Sequence, residues 1–483
     1  MRKGGRPMGL LAELVSGQLT GDPETWVSHA TIDSRRVQPA SLFVAVPGRR
    51  SNGHLFVDEA EANGATALCV SEPVTSTLPL LRVSDTRAVL PRLAAEIYDH
   101  PSRTLEVIGV TGTNGKTTVT FLLEAIATAV GRSCGLIGTV DTRLGTKRLV
   151  NPHTTPEATD FQRLLAEMRD GGADWVATEV SSHALALDRV AETFFAIGAF
   201  TNLSQDHLDF HGGMEAYFQA KAKLLDMAQA QVIWAEDHYG TRLAEAHPDA
   251  LLVGWNHPAS ATEVRPDQEG TQFRLRLPDG EADARVNLPG LFNLANALVA
   301  AACAHLAGID VDAIAAGIAS LRAVPGRFEL VAGSAGVKVV VDYAHTPEGI
   351  ATVVDTARTL ARGRVIVIVG AGGERDQGKR PQMGRAAATA DLVIVTSDNP
   401  RSEDPGQIIN EVMSGVVNSA VMAIVERREA IATALAAAAS GDIVLILGKG
   451  HETTQEISGV MYPFSDQEIA REHLARLAAE PEQ

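Results

Sequence analysis

Short apolar runs alternate with helical patterns through most of the chain. The runs at residues 105–110, 175–180 and 196–203 are apolar at nearly every position, and helical patterns such as 118–130 and 161–168 precede the later ones. Strands without a polar face, alternating with helices, are typical of a parallel sheet covered on both sides. The pattern therefore predicts an α/β fold for the middle of the chain.

The same alternation extends to both ends. Residues 41–46 and 65–70 predict short strands before a helix at 89–98, and strand patterns return at 337–341, 364–369, 391–395 and 442–447. Residues 273–277 and 284–288 flank Pro278-Asp279-Gly280 and predict a β-hairpin. Breaks fall at 100–103 and 324–326. We therefore predict three α/β domains, residues 1–103, 104–330 and 331–483, in line with the length of the chain.

Charge and cysteine content narrow the class of protein. A net charge of −17 argues against a nucleic-acid-binding surface. Three cysteines without paired spacing (Cys69, Cys134 and Cys303) indicate reduced, structural thiols. The basic start is too short for a signal peptide, and no apolar run reaches the length of a membrane span. We expect a soluble, cytoplasmic protein without membrane insertion.

A glycine-rich stretch, Gly112-Thr-Asn-Gly-Lys-Thr-Thr118, lies between a predicted strand and a predicted helix. Glycines let the backbone approach a phosphate, and the N-terminus of the following helix favours negative charge. In such a loop Lys116 reaches the terminal phosphates and Thr117 holds magnesium. Val110 stands where the standard loop has its first glycine, but a simple turn needs no Gly-Lys-Thr after an apolar strand. The stretch therefore predicts a nucleotide site.

Polar residues follow the next two predicted strands. Glu179 ends one of them, and Asp206, His207 and Asp209 follow the other, so each is a candidate magnesium ligand. Each alone is better explained as a helix cap or a core histidine, but their placement beside the phosphate loop favours metal binding. Lys221 lies on a predicted helix, and the residues alone do not separate it from Lys223, so a solvated surface lysine is the simpler interpretation.

The stretch Asp398-Asn-Pro-Arg401 follows the apolar run 392–395. Asn-Pro initiates turns, and the next residues resemble a helix start at 406–413. A turn alone, however, does not explain why an arginine stands at position 401. A guanidinium group fits a carboxylate in bidentate geometry, which suggests an anionic ligand. Gly370-Ala-Gly372 is not a dinucleotide fingerprint, because Arg375 stands in place of the third glycine.

In their order along the chain, the motifs at 111–118, 179–185, 201–211, 291–297, 324–329 and 342–347 resemble those of the Mur ligases, ATP-dependent enzymes that build the peptide of the bacterial cell wall. The resemblance runs from Asp33 to Glu452. It implies a central P-loop ATPase domain with a parallel sheet, between an N-terminal α/β domain for a uridine nucleotide and a C-terminal Rossmann-like domain for an amino acid. The reaction it implies passes through an acyl phosphate.

The resemblance also implies roles for individual residues. ATP would contact Gly112, Thr113, Asn114, Gly115, Lys116, Thr117, Thr118, Asn293, Asn296, Arg327 and Asp342. The UDP-N-acetylmuramoyl dipeptide would contact Ile32, Ser34, Arg49, Arg50, His153, Thr154, Thr155, Ser181 and Arg189. The amino acid, meso-2,6-diaminopimelate, would contact Arg375, Asp398, Asn399, Pro400, Arg401, Gly448 and Glu452. Lys116, Glu179, His207 and Lys221 would be catalytic, with Thr117, Glu179 and His207 on magnesium and Lys221 carbamylated by carbon dioxide.

Three other functions stay open at this point. A lysine-adding Mur ligase is the nearest, and Arg401 argues against it, since lysine-adding relatives lack this arginine. A folylpolyglutamate synthetase would share the ATPase chemistry but would not need the first domain. A nucleotide-dependent switch would explain the phosphate loop but no amino-acid pocket. The proton acceptor among His183, His207 and His211 is not determined, and we expect a monomer.

Overall fold

The structure is a computed structural model that describes residues 4–48, 51–149, 153–331, 336–417 and 420–479. Backbone contacts divide these residues into two compact units. The first contains those within Met1–Thr111, Val130–Ala199 and Ala220–Gln231, and the second those within Gly112–Ala129, Phe200–Gln219 and Val232–Gln483. The domain boundaries predicted from the sequence stay predictions.

The N-terminal part is a small α/β fold in the first unit. Its strands are β1 Arg6–Pro7, β2 Gln18–Thr20, β3 Trp26–Val27, β4 His29–Thr31, β5 Ser41–Val44, β6 Ala67–Val70 and β7 Leu80–Arg82, and its helices are α1 Met8–Leu14, α2 Val57–Ala62 and α3 Thr86–Ile97. Strands β4 to β7 are parallel, in a sheet of order β2-β7-β6-β5-β4. Helix α3 begins three residues before its predicted start because Asp85 accepts hydrogen bonds from the N–H groups of Arg87 and Ala88.

The central part contains the phosphate loop. Its strands are β8 Glu106–Thr111, β9 Cys134–Ile137, β10 Thr142–Leu144, β11 Lys147–Arg148, β12 Trp175–Glu179, β13 Phe195–Phe200, β14 Ala228–Trp234 and β15 Leu251–Val253, in the sheet order β11-β10-β9-β12-β8-β13-β14-β15. Its helices are α4 Lys116–Ala129, α5 Ala158–Asp170, α6 Ser182–Ala186, α7 Leu208–His211, α8 Met214–Met227 and α9 His238–Ala246.

The prediction of a parallel sheet is confirmed around β8, and the sheet has in addition an antiparallel edge that was not predicted. Strand β12 pairs in parallel with both β8 and β9, whereas β10 is antiparallel to both β9 and β11. Only a short loop separates β9 from β10, and a parallel crossover needs a much longer connection.

A three-stranded antiparallel sheet and two helices follow. They are β16 Ser260–Pro266, β17 Thr271–Leu277, β18 Gly280–Val286, α10 Leu291–Leu306 and α11 Val311–Ser320. The predicted hairpin is β17–β18. Strand β16 was not predicted, since it is largely polar and irregular between Thr262 and Arg265, which hides its alternation.

The C-terminal part lies in the second unit. Its strands are β19 Glu329–Val331, β20 Lys338–Asp342, β21 Val365–Val369, β22 Leu392–Val395, β23 Ala420–Ala423, β24 Ile443–Leu447, β25 Thr454–Ile457 and β26 Val460–Pro463. Its helices are α12 Pro347–Leu360, α13 Arg380–Ala387, α14 Pro405–Met413, α15 Arg427–Ala437 and α16 Asp466–Ala479.

The four strands predicted here form the parallel centre of a sheet ordered β19-β20-β24-β21-β22-β23. Buried aliphatic side chains cover both faces. Because the strands are parallel, the loops after β21, β22 and β24 leave from the same edge, where α/β sheets place ligands.

Four 3₁₀ helices complete the described elements: Ser34–Arg36, Gly53–Phe56, Pro101–Arg103 and Gln377–Lys379. The third coincides with the predicted linker at 100–103, whose Ser102 is buried and accepts a hydrogen bond from the N–H of Phe194. None of the described helices combines the length and apolar character needed to cross a membrane.

Candidate active site

The phosphate loop joins β8 to α4 and requires glycine at two positions. Gly112 has φ +148° and Gly115 has φ +90°, which other residues rarely adopt. A Cβ at Gly112 would collide with Thr201 Oγ1, and one at Gly115 with Asn296 Oδ1. The backbone is thus packed against neighbouring side chains and leaves no room for a larger residue.

Side chains after β13 brace this loop. Thr201 Oγ1 and Asn202 Nδ2 donate to the carbonyl of Asn114 at 2.6 and 3.1 Å, and Asn202 Oδ1 accepts from the N–H of Asn114 at 2.9 Å. Lys116 Nζ donates to the carbonyl of Gly112 at 2.8 Å. The ammonium group therefore lies over the loop, at the N-terminus of α4, where a phosphate is favoured.

The other predicted ATP residues differ in whether they contact the phosphate loop. Asn296 borders Gly115, and Arg327 Nη2 donates to Thr117 Oγ1 at 3.0 Å, so both reach the phosphate loop. Asp342 is buried, and burial raises its pKa. Its carboxylate accepts from the N–H groups of Phe328 at 2.6 Å and Ala344 at 2.7 Å, so it holds the backbone beside Arg327.

Glu179 belongs to the first unit, at the end of β12. It pairs with Val110 of β8, two residues before the first loop glycine, as the strand pattern predicted. The side chain is 1% exposed and accepts hydrogen bonds from the N–H and Oγ1 of Thr139, at 2.8 and 3.0 Å. These contacts hold a buried carboxylate in one orientation.

Four residues predicted for the dipeptide substrate meet around Thr155 in the first unit. Thr155 Oγ1 donates to the carbonyl of Glu179 at 2.8 Å and accepts from the N–H of Ser181 at 3.0 Å. Arg189 donates to the carbonyl of Thr155 at 3.3 Å and pairs with Glu157, and Thr154 accepts from Thr139. Arg189 Nε is buried and donates to no described residue, which leaves one N–H for a ligand.

The remaining residues predicted for this substrate are spread more widely. Ser34 is buried and donates to Glu59 at 2.7 Å, Ile32 is half-buried on the same loop, and His153 is exposed. Arg49 and Arg50 lie outside the described residues.

His207 stands beside a buried carboxylate in the second unit. Lys379 Nζ lies 3.0 Å from Asp206, His207 Nε2 3.4 Å and His345 Nε2 3.6 Å. Burial alone raises the pKa of Asp206, but the hydrogen bond from His345 and the charges of the three bases hold it well below its ordinary value. The sequence indicated Asp206 and His207, but not the roles of His345 and Lys379, which lie in polar loops after β20 and β21.

Lys221 and Lys223 differ in a way that the residues alone did not indicate. Lys221 is 1% exposed within α8, whereas Lys223 is exposed, donates to the carbonyl of Leu185 and lies 3.7 Å from Asp188. The simpler interpretation of Lys221 as a solvated surface lysine is therefore wrong, because the helix turns this position inward.

Thr117 and Glu179 carry oxygen donors of the kind that magnesium prefers. Within the part of the chain that the structure describes, no three His, Cys, Asp or Glu residues form a metal cluster. Protein magnesium sites commonly use one or two carboxylates together with substrate phosphates. The hydroxyl of Thr117 and the carboxylate of Glu179 are donors of this kind.

The loop after β22 is bonded to the loop after β24. Asn399 Nδ2 donates to Glu452 Oε2 at 2.8 Å, and Asn399 Oδ1 accepts from the fully buried Lys449 at 3.1 Å. Lys449 also lies 2.9 Å from Glu452. Asp398 fills the space beside Gly448, whose φ is +111° and where a Cβ would collide with its carboxylate. The predicted residues 398–401, 448 and 452 are thus brought together.

Arg401 has an uncommon backbone conformation, with φ +54°. Its N–H donates to the carbonyl of Glu456 at 3.1 Å, and its own carbonyl accepts from Ser458 at 2.7 Å. The guanidinium donates to the carbonyl of Gly373 at 2.6 Å. A methyl group at Gly372 would lie 3.0 Å from Arg401 Nη1 and 3.7 Å from Arg375 Cγ, so both arginines border Gly372.

The hairpin β25–β26, which holds Arg401, was not predicted. Its signal is a Ser458-Gly459 turn, in which both residues have positive φ, between two short strands. The pairing of Lys449 with Glu452 was missed as well, since nothing local distinguishes this lysine from a surface residue.

A phosphate-loop motif after one strand and a polar loop that holds the Arg401 guanidinium at the edge of another sheet are features of a nucleotide-dependent enzyme. Comparison with known families agrees with this class. The Mur ligase family catalytic domain matches residues 27–107, the Mur ligase middle domain residues 110–304, and the Mur ligase glutamate ligase domain residues 326–450. The chain belongs to the Mur ligase family, and its three-domain α/β fold is confirmed.

Individual relatives are similar over almost the full length. A UDP-N-acetylmuramoyl-L-alanyl-D-glutamate–2,6-diaminopimelate ligase of Aquifex aeolicus is 45% identical over 93% of this chain and 94% of its own. A solved structure of an enzyme with the same name is 30% identical, with a TM-score of 0.67 over 98% of this chain and 99% of its own.

A folylpolyglutamate synthase structure from Mycobacterium tuberculosis is 19% identical, with a TM-score of 0.63 over 75% of this chain and 92% of its own. At this identity the likeness concerns the fold alone. It leaves a quarter of the present chain unmatched.

Proposed function

We propose that the chain is an ATP-dependent ligase that joins meso-2,6-diaminopimelate to the γ-carboxylate of D-glutamate in UDP-N-acetylmuramoyl-L-alanyl-D-glutamate, during peptidoglycan synthesis. The observation that carries the proposal is the Asp398–Arg401 loop, which holds a guanidinium beside Gly372 and Arg375. Relatives with diaminopimelate in their name, such as the one at 45% identity, support it.

ATP is the co-substrate, because a carboxylate is a poor acyl donor. Transfer of the γ-phosphoryl group to the glutamate carboxylate forms an acyl phosphate, and ADP leaves. The amine of diaminopimelate then attacks the acyl carbon, a tetrahedral intermediate forms, and phosphate departs as the amide forms. Lys116 and the N-terminus of α4 offset the negative charge that gathers on the transferring phosphoryl group.

Thr117, Glu179 and His207 are the residues that we expect to hold magnesium, with a carbamate on Lys221 as a further anionic ligand. When bound, the metal would supply positive charge that offsets the negative charge of the phosphates. Asp206 orients the ring of His207, and Thr139 orients the carboxylate of Glu179. The burial of Lys221 supports a role beyond that of a surface lysine.

The dipeptide nucleotide is assigned to the residues around Thr155, where Arg189 Nε is an available donor for a carboxylate or phosphate. Ile32, Ser34, Arg49 and Arg50 are assigned to its nucleotide end. Both substrates belong to cytoplasmic metabolism, so we expect the enzyme there. A monomeric state stays a prediction.

One incubation tests the proposal. The protein is mixed with ATP, magnesium, the muramoyl dipeptide nucleotide and either meso-diaminopimelate or L-lysine, and the product masses are measured. We expect ADP, phosphate and the mass of the diaminopimelate adduct. Lys116→Ala protein provides the blank. Equal or greater formation of the lysine adduct would favour a lysine-adding ligase, and phosphate release without any adduct would favour a nucleotide switch.

A further inference from the structure

A buried arginine stands at the start of α13, in the second unit. Arg380 is 1% exposed, and its guanidinium has carboxylate partners on two different segments. Its Nη1 and Nη2 lie 2.9 and 3.0 Å from the two carboxylate oxygens of Glu403, and Nη1 lies 2.8 Å from Glu411 Oε2. A buried charge needs such partners, because its removal from water is costly. The pair with Glu403 is bidentate, which fixes its direction as well as its distance.

The two carboxylate partners belong to different parts of the fold. Glu403 lies in the loop after β22, whereas Glu411 lies in α14. Glu403 Oε1 also accepts a hydrogen bond from the N–H of Glu374, in the loop after β21. Arg380 Nη2 donates to the carbonyl of Gly372 in that same loop, at 3.3 Å. One guanidinium and one carboxylate therefore hold the loop after β21 to the loop after β22.

These two loops carry the two arginines that we assign to the amino acid, Arg375 and Arg401. The loops also contact each other directly, since Arg401 donates to the carbonyl of Gly373 at 2.6 Å and the N–H of Gly373 donates to the carbonyl of Asn399 at 2.9 Å. At 1% exposure, Arg380 offers almost no surface to a substrate. Any effect of Arg380 on the amino acid therefore passes through the loops.

We infer that Arg380 is a positioning residue, which acts through Glu403 to hold Arg375 and Arg401 at the spacing that the amino acid requires. This inference rests on the proposed function and adds to it a residue that touches no substrate. Two loops that are not held together sample several relative positions, and binding then bears the cost of ordering them. Glu411 shares the guanidinium but joins α13 to α14, so it does not set the spacing of the loops.

The test compares Glu403→Gln with Glu411→Gln, two equal changes at one guanidinium. Both oxygens of Glu403 accept from Arg380, and Oε1 accepts from Glu374 as well, so a glutamine with its single oxygen sets an amide NH2 group against one of these donors. At position 411 a glutamine can still turn its oxygen towards Arg380.

We expect the KM for meso-diaminopimelate to rise about tenfold in E403Q, the size of one charged hydrogen bond. The KM for ATP and kcat should change by less than about twofold, because the phosphate loop is untouched. E411Q should keep all three constants near those of the wild type. Arg385→Ala, at an exposed arginine of the same helix, is a further control.

An unchanged KM for diaminopimelate in E403Q overturns the inference. An equal rise in E411Q overturns it as well, since both carboxylates would then act only through stability. Thermal unfolding shows whether E403Q folds, and if it does not, Arg380→Lys decides the question. Lysine keeps the positive charge but cannot bond both oxygens of Glu403 in parallel. A raised KM for diaminopimelate with a normal KM for ATP in R380K supports positioning, and an unchanged KM overturns it.

The wild type tests the proposed function separately. If it forms the lysine adduct and not the diaminopimelate adduct, the proposed function fails. The same variants then test Arg380 with lysine as the amino acid, so the two failures are distinguishable.

Discussion

The phosphate loop and the Asp398–Arg401 loop each follow a strand that has a parallel neighbour, but they are built differently. The phosphate loop depends on its own backbone, with Gly112 and Gly115 in conformations that other residues avoid. The Asp398–Arg401 loop depends on side chains and on a hairpin more than fifty residues later in the sequence. A local motif thus builds the phosphate loop, whereas long-range contacts build the loop that we propose selects the amino acid.

This difference has a kinetic counterpart. Damage to the phosphate loop removes transition-state stabilisation that every amino acid shares, so all substrates lose rate together. Damage to the Asp398–Arg401 loop changes the ratio between substrates. Mutations in the two loops should therefore separate in steady-state kinetics.

Lys116→Ala should produce the largest effect. We expect kcat to fall by roughly 10³-fold with every amino acid, because one positive charge on the transferring phosphoryl group is lost. Phosphate release measured with diaminopimelate and with lysine checks this. Lys223→Ala, at an exposed lysine, should stay near wild type. A fall in kcat with only one of the two amino acids would contradict the proposed difference between the phosphate loop and the Asp398–Arg401 loop.

Arg427→Ala tests what supports the amino-acid loop. Arg427 and Asp466 are fully buried and 2.7 Å apart, and Arg427 also donates to the carbonyl of Leu447 at 2.9 Å, just before Gly448. The variant leaves a buried carboxylate without its counter-charge, so we expect a loss of about 3–5 kcal/mol in the free energy of unfolding. Denaturant titration measures it.

The control for this variant is its neighbour in the sequence. Arg428 pairs with Glu472 at the surface, with about half of each side chain exposed. Arg428→Ala should change the unfolding free energy by less than about 1 kcal/mol. Similar losses of unfolding free energy in both variants would show that the buried Arg427–Asp466 pair does not stabilise the protein more than the exposed pair does.

Arg401→Ala should act on selectivity. We expect the transition-state free energy for diaminopimelate to rise by about 1.5–3 kcal/mol, the range for a lost charged hydrogen bond. The KM for ATP should not change, since Arg401 belongs to the amino-acid loop. Steady-state kinetics measure the ratio of kcat/KM for diaminopimelate to that for lysine. An unchanged ratio in the variant would contradict the assignment of Arg401 to the amino acid.

A substitution of His29, which lies outside both loops, should have the smallest effect. It should change the pH dependence of stability and leave the amino-acid preference unaltered. Burial, followed by the charge of Arg163, lowers the pKa of His29 to about 4 from an ordinary value of 6.5. Between these values the unfolded chain binds a proton that the folded chain does not, so stability falls as the pH drops from 6.5 towards 4.

We expect His29→Asn to remove about 1 kcal/mol of the stability difference between roughly pH 7 and pH 5, after allowing for partial exposure. Thermal unfolding at the two pH values measures it. The amino-acid preference should be unaltered, and a change in it would mean that selectivity is not confined to the Asp398–Arg401 loop.

Several features were predictable because their causes are local. The strands at 365–369, 392–395 and 443–447 follow from continuous aliphatic runs, and the phosphate loop from glycines between a strand and a helix. Membership of the Mur ligase family followed from motifs in a set order. The antiparallel edge β10–β11 and the hairpin β25–β26 were missed, because short polar strands depend on their partners more than on their own residues.

The sequence by itself determined the α/β class and the position of the glycine-rich loop, and it predicted a role for Arg401, since each depends on residues that are neighbours along the chain. Only the tertiary structure decided that Lys221 is buried while Lys223 is not, that His345 and Lys379 gather on Asp206, and that Glu456 faces Arg401. Those contacts join residues separated by up to 173 positions. Burial and charge pairing arise from packing between elements, and the local pattern of a single element does not contain them.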